Sequence, residues 1–197
     1  FPYTTLFRSP VCDIVGQIPV DPNDLSGPNK HLRIFRCLLG NTDKPLMGFV
    51  GSRKQVVQQF EMLEMVYGRE YVENKPALGV AVNPLSPLAF SAEPCETIIE
   101  FARRKQPIVA LTCAMSGITA PIKLLGTAVM QNAELLAGLV LSQLVNPGAP
   151  FIYSPASAAP DMRSAAYVTG SPESNLINIV GLQIRSAERP VGKKGKF

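Results

Sequence analysis

Four short apolar runs, each followed by a stretch with helical spacing, constrain this chain more than any other feature. They are Pro45 to Val50, Ala77 to Val82, Pro107 to Cys113 and Phe151 to Ser154. Their starts fall about thirty, thirty and forty residues apart, which is the length of a strand–helix–strand unit. Strands that alternate with helices predict a parallel sheet rather than a meander. The units share no close repeat, which argues against a solenoid.

The intervening helices are marked by their end signals. Ser52 with Gln55 forms a capping box, and Val56, Phe60, Leu63 and Tyr67 then share one helix face. Pro94 suits a first turn, with Ile98, Phe101 and Ala102 facing inward. A long apolar helix is predicted from about Gly126 to Val145. Asn146-Pro147-Gly148 stops it, because proline cannot continue the ladder and glycine accepts a left-handed turn. Ser171-Pro172-Glu173 opens the last helix with a cap, a proline and an acid near the positive end. Upstream, Asp21 to Pro28 reads as a polar loop and Asn29 to Leu39 as a leading helix.

The run from Met115 to Glu173 carries a series of small motifs in a fixed order. They are Thr119-Ala120-Pro121, Gly126, Asn132-Ala133-Glu134, Leu136-Ala137-Gly138, Gln143 to Pro150, Asp161-Met162-Arg163 and Gly170-Ser171-Pro172-Glu173. In this order and spacing the run resembles the trimethylamine methyltransferase family of corrinoid-dependent methyltransferases. Asn41 to Pro45 and Asn83 to Leu88 also resemble that family, so the likeness spans most of the chain. The resemblance implies a (β/α)8 TIM barrel enzyme that moves a methyl group from an amine to cobalt. A complete barrel needs about 250 residues. At 197 residues the chain is therefore expected to be an internal piece, a partial barrel of about four β/α units.

Composition has to be read without the two ends. Phe1 to Ser9 resembles translated sequencing adapter, and the tail from Arg185 resembles a miscopied reverse complement of it. The expected organisation is thus an artefact over 1–9, a barrel domain over 10–184 and a second artefact over 185–197. The alternative for the ends is a short N-terminal strand and a basic tail. The whole chain has 19 Lys+Arg against 15 Asp+Glu. Arg8, Arg185, Arg189, Lys193, Lys194 and Lys196 lie in the ends, as does Glu188, so the interior holds 13 positives against 14 negatives, a net −1. The basic balance then gives no support for nucleic acid or membrane as partner. Cys12, Cys37, Cys95 and Cys113 form no Cys-x-x-Cys pair and read as buried or incidental thiols of a reducing compartment. The longest apolar stretch, Leu135 to Val145, is broken by Ser142 and Gln143 and reads as too short for a bilayer span. A cytoplasmic protein is expected.

In a parallel barrel the active site lies at the C-terminal ends of the strands. The positions there are Gly51, Asn83 with Ser86, Met115 to Thr119, and Tyr153 to Arg163. Candidate substrate-binding residues are Asn83, Ser116, Tyr153, Asp161 and Arg163. Asp161 suits an ammonium group and Arg163 a substrate carboxylate; the alternative is that they pair with each other or with backbone and fix the loop. Tyr153 offers a ring face to a quaternary ammonium or simply packs in the core. Asn83 offers hydrogen bonds to a substrate or serves its own Asn-Pro turn. Asn132 and Glu134 fall inside a helix, where Glu134 faces solvent or caps a neighbouring element. The single histidine, His31, lies far from these loops, so this chain alone builds neither a histidine triad nor a multi-histidine metal site. It has no P-loop and no G-x-G-x-x-G.

The resemblance supplies a mechanism that needs few ionisable groups. A methylated amine, trimethylamine or a quaternary amine such as glycine betaine, is held in the barrel. A separate corrinoid protein presents Co(I), and in-line displacement moves the methyl group to cobalt. The protein contributes placement and a dry cavity. Trimethylamine members use pyrrolysine, which in the family lies downstream of the region seen here. The implied partners are the cognate corrinoid protein and the amine, and a homo-oligomer is expected. Two alternatives stay open: an inactive partial barrel with exposed sheet edges, and a different barrel enzyme such as a lyase or aldolase. The second would need a Schiff-base lysine at a strand end, whereas Lys54, Lys75, Lys105 and Lys123 fall on helices or loops.

Overall fold

A computed structural model describes residues 13–14, 24–27 and 29–187. The adapter-like segment 1–9, Cys12, Asp21, Pro28 and residues 188–197 lie outside these. The described residues form six helices and four strands. Their order is α1 (Lys30–Asn41), β1 (Leu46–Met47), α2 (Arg53–Tyr67), α3 (Arg69–Asn74), β2 (Leu78–Val82), α4 (Ala92–Arg103), β3 (Ile108–Thr112), α5 (Leu124–Val145), β4 (Phe151–Pro155) and α6 (Pro172–Ala187). The strands neighbour one another in sequence order, β1-β2-β3-β4. Leu46 pairs with Leu78 and Met47 with Gly79 in parallel register. The chain is therefore α/β with helices between successive strands, as the spacing predicts.

Packing divides the described residues into two compact units. One comprises the chain up to Val82, Ser91–Val109 and Val140–Ile152; the other comprises Asn83–Phe90, Ala110–Leu139 and the chain from Tyr153 on.

The first unit is built on aromatic packing. Phe60 meets Phe101 edge-on at 4.9 Å, Phe35 meets Phe49 at 5.7 Å, and the Arg104 guanidinium stands 4.7 Å above the Phe60 ring. Two buried glutamines extend the sheet through their side chains. Gln59 Oε1 accepts the Phe49 N–H at 2.8 Å while its Nε2 donates to the Phe49 carbonyl at 3.1 Å, as a neighbouring strand would. β1 is only two residues long, against the predicted Pro45 to Val50, because Phe49 gives its backbone to this side chain. Gln106 accepts from Ala77 and Leu78 N–H at 2.7 and 3.1 Å and donates to the Val72 and Lys75 carbonyls, fixing the entry to β2. Glu100, its side chain 3% exposed, takes Arg53, Arg103 and Arg104 at 3.0, 2.6 and 2.5 Å. Burial pushes its carboxyl up, but the hydrogen bond and charge of Arg104, with Arg103 and Arg53, hold it below its ordinary value.

Three further differences from the sequence reading have local causes. α3 was not expected; Gly68, at φ +83°, ends α2 by donating to the Glu64 carbonyl and lets a second helix start at once. Of the thiols read as buried or incidental, Cys37 and Cys113 are exposed and Cys95 is intermediate, so none of these three is fully buried. α5 begins at Leu124, so it has 22 residues and is long and apolar enough, by length and composition, to cross a bilayer. Its inner side nonetheless buries Thr127, Gln131, Glu134 and Ser142. The predicted terminators hold: α5 stops at Val145, Gly148 takes φ +85°, and Ser171 Oγ caps α6 by accepting the Ser174 N–H at 3.2 Å.

Candidate functional site

The second unit contains the segments that follow β2, β3 and β4, where a parallel α/β sheet carries its chemistry. The segments after β3 and β4 continue to pair beyond the strands. Ser116 N–H donates to the Ala158 carbonyl at 3.0 Å, and Ala158 N–H to the Ala114 carbonyl at 2.9 Å. Gln131, fully buried on α5, joins the same two segments by accepting Thr112 Oγ1 at 3.2 Å and Ser157 N–H at 3.0 Å. A Cβ at Gly181 would stand 2.7 Å from Gln131 Nε2, so the missing side chain lets α6 approach this amide.

The segment after β2 is clamped from α5. Leu85 and Ala89 exchange backbone hydrogen bonds of 2.7 and 3.1 Å, with a cis Ser86–Pro87 bond between them and Leu88 at φ +54°. Into this turn Glu134 presents its carboxylate. Its Oε2 accepts Ser86 Oγ at 2.9 Å and its Oε1 accepts Leu88 N–H at 2.8 Å. Glu134 is 2% exposed, so it caps a neighbouring loop and does not face solvent. Its acceptor pair offsets the cost of a buried carboxylate and fixes the turn that begins at Asn83.

The predicted binding residues divide into two kinds of environment. Asn83 is exposed, and its Nδ2 reaches toward Cys113 Sγ at 3.8 Å. Ser116 is 6% exposed and shares a 2.9 Å hydrogen bond with Thr127 Oγ1. Tyr153 is also 6% exposed and donates its hydroxyl to Asn132 Oδ1 at 2.8 Å. Asp161 and Arg163 are exposed. The Asp161 carboxylate accepts Ser164 N–H, Arg163 N–H and Ser164 Oγ at 2.8 to 2.9 Å, and the two backbone donors first, then the hydroxyl, hold it below its ordinary value. Its link to Arg163 therefore runs through backbone. His31 bonds Gln58 at 3.0 Å in the first unit.

Two residues outside the predicted set join Asn83. Cys113 follows β3 directly, and Tyr167, on the segment after β4, interacts with its thiol while donating its own hydroxyl to the Ala156 carbonyl. Cys113 is exposed as a residue, but partial desolvation of its sulfur pushes the thiol up despite the Tyr167 hydroxyl beside it. Burial and then the Cys113 sulfur push the Tyr167 phenol up to about 12. Both groups thus keep their protons at neutral pH, and with the Asn83 amide they make a polar, uncharged cluster drawn from three strand ends. Position was the signal available for Cys113, since it is the first residue past its strand. Beside the clamped turn lies a groove of about 850 Å³ lined by apolar side chains including Leu88, Pro121, Ile122, Leu125 and Val129.

The chain has recognisable relatives. Proline betaine:corrinoid methyltransferase of Eubacterium limosum is 35% identical over 184 residues, covering 89% of this chain and 38% of that protein. Glycine betaine methyltransferase of Desulfitobacterium hafniense is 32% identical over 170 residues, covering 86% and 36%. A trimethylamine methyltransferase of Methanosarcina mazei is 38% identical over 164 residues, covering 82% and 33%. The chain spans about a third of the length of these relatives. The pattern described as trimethylamine methyltransferase matches residues 4–195, and with that match across nearly the whole chain, this protein belongs to the trimethylamine methyltransferase family.

Proposed function

We propose that this chain forms part of a (β/α)8 barrel methyltransferase that takes a methyl group from a methylated amine and delivers it to a corrinoid protein. The carrying observation is the uncharged cluster of Asn83, Cys113 and Tyr167. Displacement of a methyl group from nitrogen needs the amine held and dried, not a proton moved at the carbon. An amide, a protonated thiol and a protonated phenol meet that need without offering a competing nucleophile. Tyr153 and Ser116, the buried members of the predicted set, are held by hydrogen bonds to Asn132 and Thr127. Asp161 and Arg163, exposed beyond the cluster, suit the charged ends of an incoming betaine. The corrinoid, which supplies the Co(I) nucleophile, is assigned to a separate protein, a reading supported by the name of the proline betaine:corrinoid methyltransferase relative. Pyrrolysine, where a relative uses it, lies outside these residues. The segments 1–9 and 185–197 are read as adapter-like ends flanking the barrel portion.

The test uses the product of the complete reading frame, mixed with reduced corrinoid protein and, in turn, trimethylamine, glycine betaine and proline betaine. Methyl transfer, followed by the corrinoid absorbance change, is expected with at least one of the three. Absence of transfer with all of them, from protein shown to be folded, overturns the reading. Asn83→Ala is expected to lower kcat/KM at least tenfold, about 1.4 kcal/mol of transition-state stabilisation.

A further inference from the structure

Three polar atoms of the second unit are buried with no hydrogen-bond partner among the described residues: Gln131 Nε2, Ser157 Oγ and Asn178 Oδ1. Gln131 and Ser157 are fully buried as residues. A buried donor or acceptor without a partner is costly, and native proteins hold few of them. These three belong to different elements, α5, the segment after β4 and α6, yet the contacts around them bring them to one place. Two contacts fix how α6 lies on the segment after β4. The Ala159 N–H donates to Ser174 Oγ at 3.4 Å, and a Cβ at Gly181 would stand 3.4 Å from Pro155 Cβ. Residues 155–159 thus run antiparallel along the helix face that carries positions 174, 178 and 181, which steps of four and three keep in line. Seven helical residues rise about 10.5 Å and four extended residues span about 13 Å, so the midpoints of the two stretches meet. Those midpoints are Asn178 and Ser157. Gln131 enters from α5. Its Oε1 accepts the Ser157 N–H at 3.0 Å, and its Nε2 lies 2.7 Å from where a Gly181 Cβ would be. The amide nitrogen therefore faces α6 one turn from Asn178.

The chemistry of the three atoms selects what they bind. Gln131 Nε2 only donates, Asn178 Oδ1 only accepts, and Ser157 Oγ does either. A cation would meet the amide N–H groups and an anion the amide oxygen, so each ion is opposed by one member of the set. A small neutral molecule that both donates and accepts suits all three. We propose that Gln131, Ser157 and Asn178 form the binding site of one internal water. The water accepts from Gln131 Nε2, donates to Asn178 Oδ1 and shares a third hydrogen bond with Ser157 Oγ. Three hydrogen bonds are the usual complement of a buried water. Such a water gives Gln131 its full set of partners, since its Oε1 already takes Thr112 Oγ1 and Ser157 N–H. It also fastens α6 to the point at which α5 grips the segment after β4. That segment pairs on its other side with the segment after β3, through Ser116 with Ala158 and Ala158 with Ala114. Gly181 belongs to the same design. Glycine inside a helix is ordinarily unfavourable, but a side chain at 181 would drive Gln131 Nε2 from its place.

A crystal structure of the product of the complete reading frame, at a resolution that orders internal waters, tests the site. One water is expected within about 2.7–3.2 Å of all three atoms. Oxygen-17 relaxation dispersion in solution supplies a second measurement, because it counts internal waters that exchange slowly. Asn178→Leu removes the acceptor and is expected to lower that count by one relative to the parent protein, with circular dichroism verifying that the variant is folded. If Asn178→Leu does not fold, the crystal structure of the parent protein decides alone. Direct pairing of Gln131 with Asn178 overturns the proposal, as does a partner for any of the three atoms from another part of the chain. An unchanged water count in folded Asn178→Leu also overturns it. An anomalous peak at the site after soaking with rubidium or bromide overturns it in favour of an ion.

Discussion

At the residue scale, Glu134 has the largest expected consequence in the second unit. Glu134→Ala removes the acceptor of Ser86 Oγ and Leu88 N–H, and because these donors are part-buried and open to water the expected loss is ~2 kcal/mol, about 1 kcal/mol for each charge-assisted hydrogen bond. Glu134→Gln keeps one acceptor oxygen and is expected to lose about 1 kcal/mol; urea unfolding of the two variants separates these values. Tyr167 gives a pH dependence of definite sign. Its phenol is raised from 10.0 to about 12 in the folded protein. Its stabilising contribution is therefore fully present below pH 10 and is lost as the pH rises through about 12. Unfolding midpoints between those limits should fall more steeply for the parent chain than for Tyr167→Phe. The strand-end rule makes Asn83 a candidate and reaches Cys113 by position, whereas Tyr153 stands in the middle of β4 and Tyr167 lies twelve residues past its end. Cysteine spacing bears on metal sites and disulfides and says nothing about a single thiol. Tyr167 lies eleven residues from the carbonyl it binds, a separation that sequence pattern does not resolve.

At the element scale, side-chain amides do work that the strand pattern does not reveal. Gln106 closes the entry to β2 with four hydrogen bonds, two of them to the N–H groups of Ala77 and Leu78. Gln106→Leu conserves much of the volume but orphans those partners, and a loss of about 2–4 kcal/mol is expected by thermal or denaturant unfolding. The helix ends were legible because each carries its own chemistry: Gln55 accepts the Ser52 N–H at 3.0 Å, and Ser171 caps α6. β1 is shorter than the apolar run predicts for the converse reason. Apolar character marks Pro45 to Val50 as buried, but which group pairs with the Phe49 backbone depends on a glutamine ten residues on. Likewise α3 depends on the conformation of Gly68, which a periodic pattern does not encode.

At the scale of the whole molecule, family membership and the α/β order were both readable, for different reasons. The order follows from apolar runs at regular intervals, which burial in a parallel sheet requires. Membership follows from loop motifs, and the structure gives several of these a mechanical task. Asn132 holds Tyr153, Glu134 holds the turn after β2, and Asp161 folds the segment after β4 onto itself. The clamp by Glu134 bears on how such proteins can be re-engineered. The turn at 83–90 depends on a carboxylate 46 and 48 positions farther along the chain for its shape. Transplanting that turn from a relative with different substrate preference would carry the sequence of the loop without the means of holding it. The exchangeable module is the turn together with helix position 134, two pieces distant in the gene and inseparable in use.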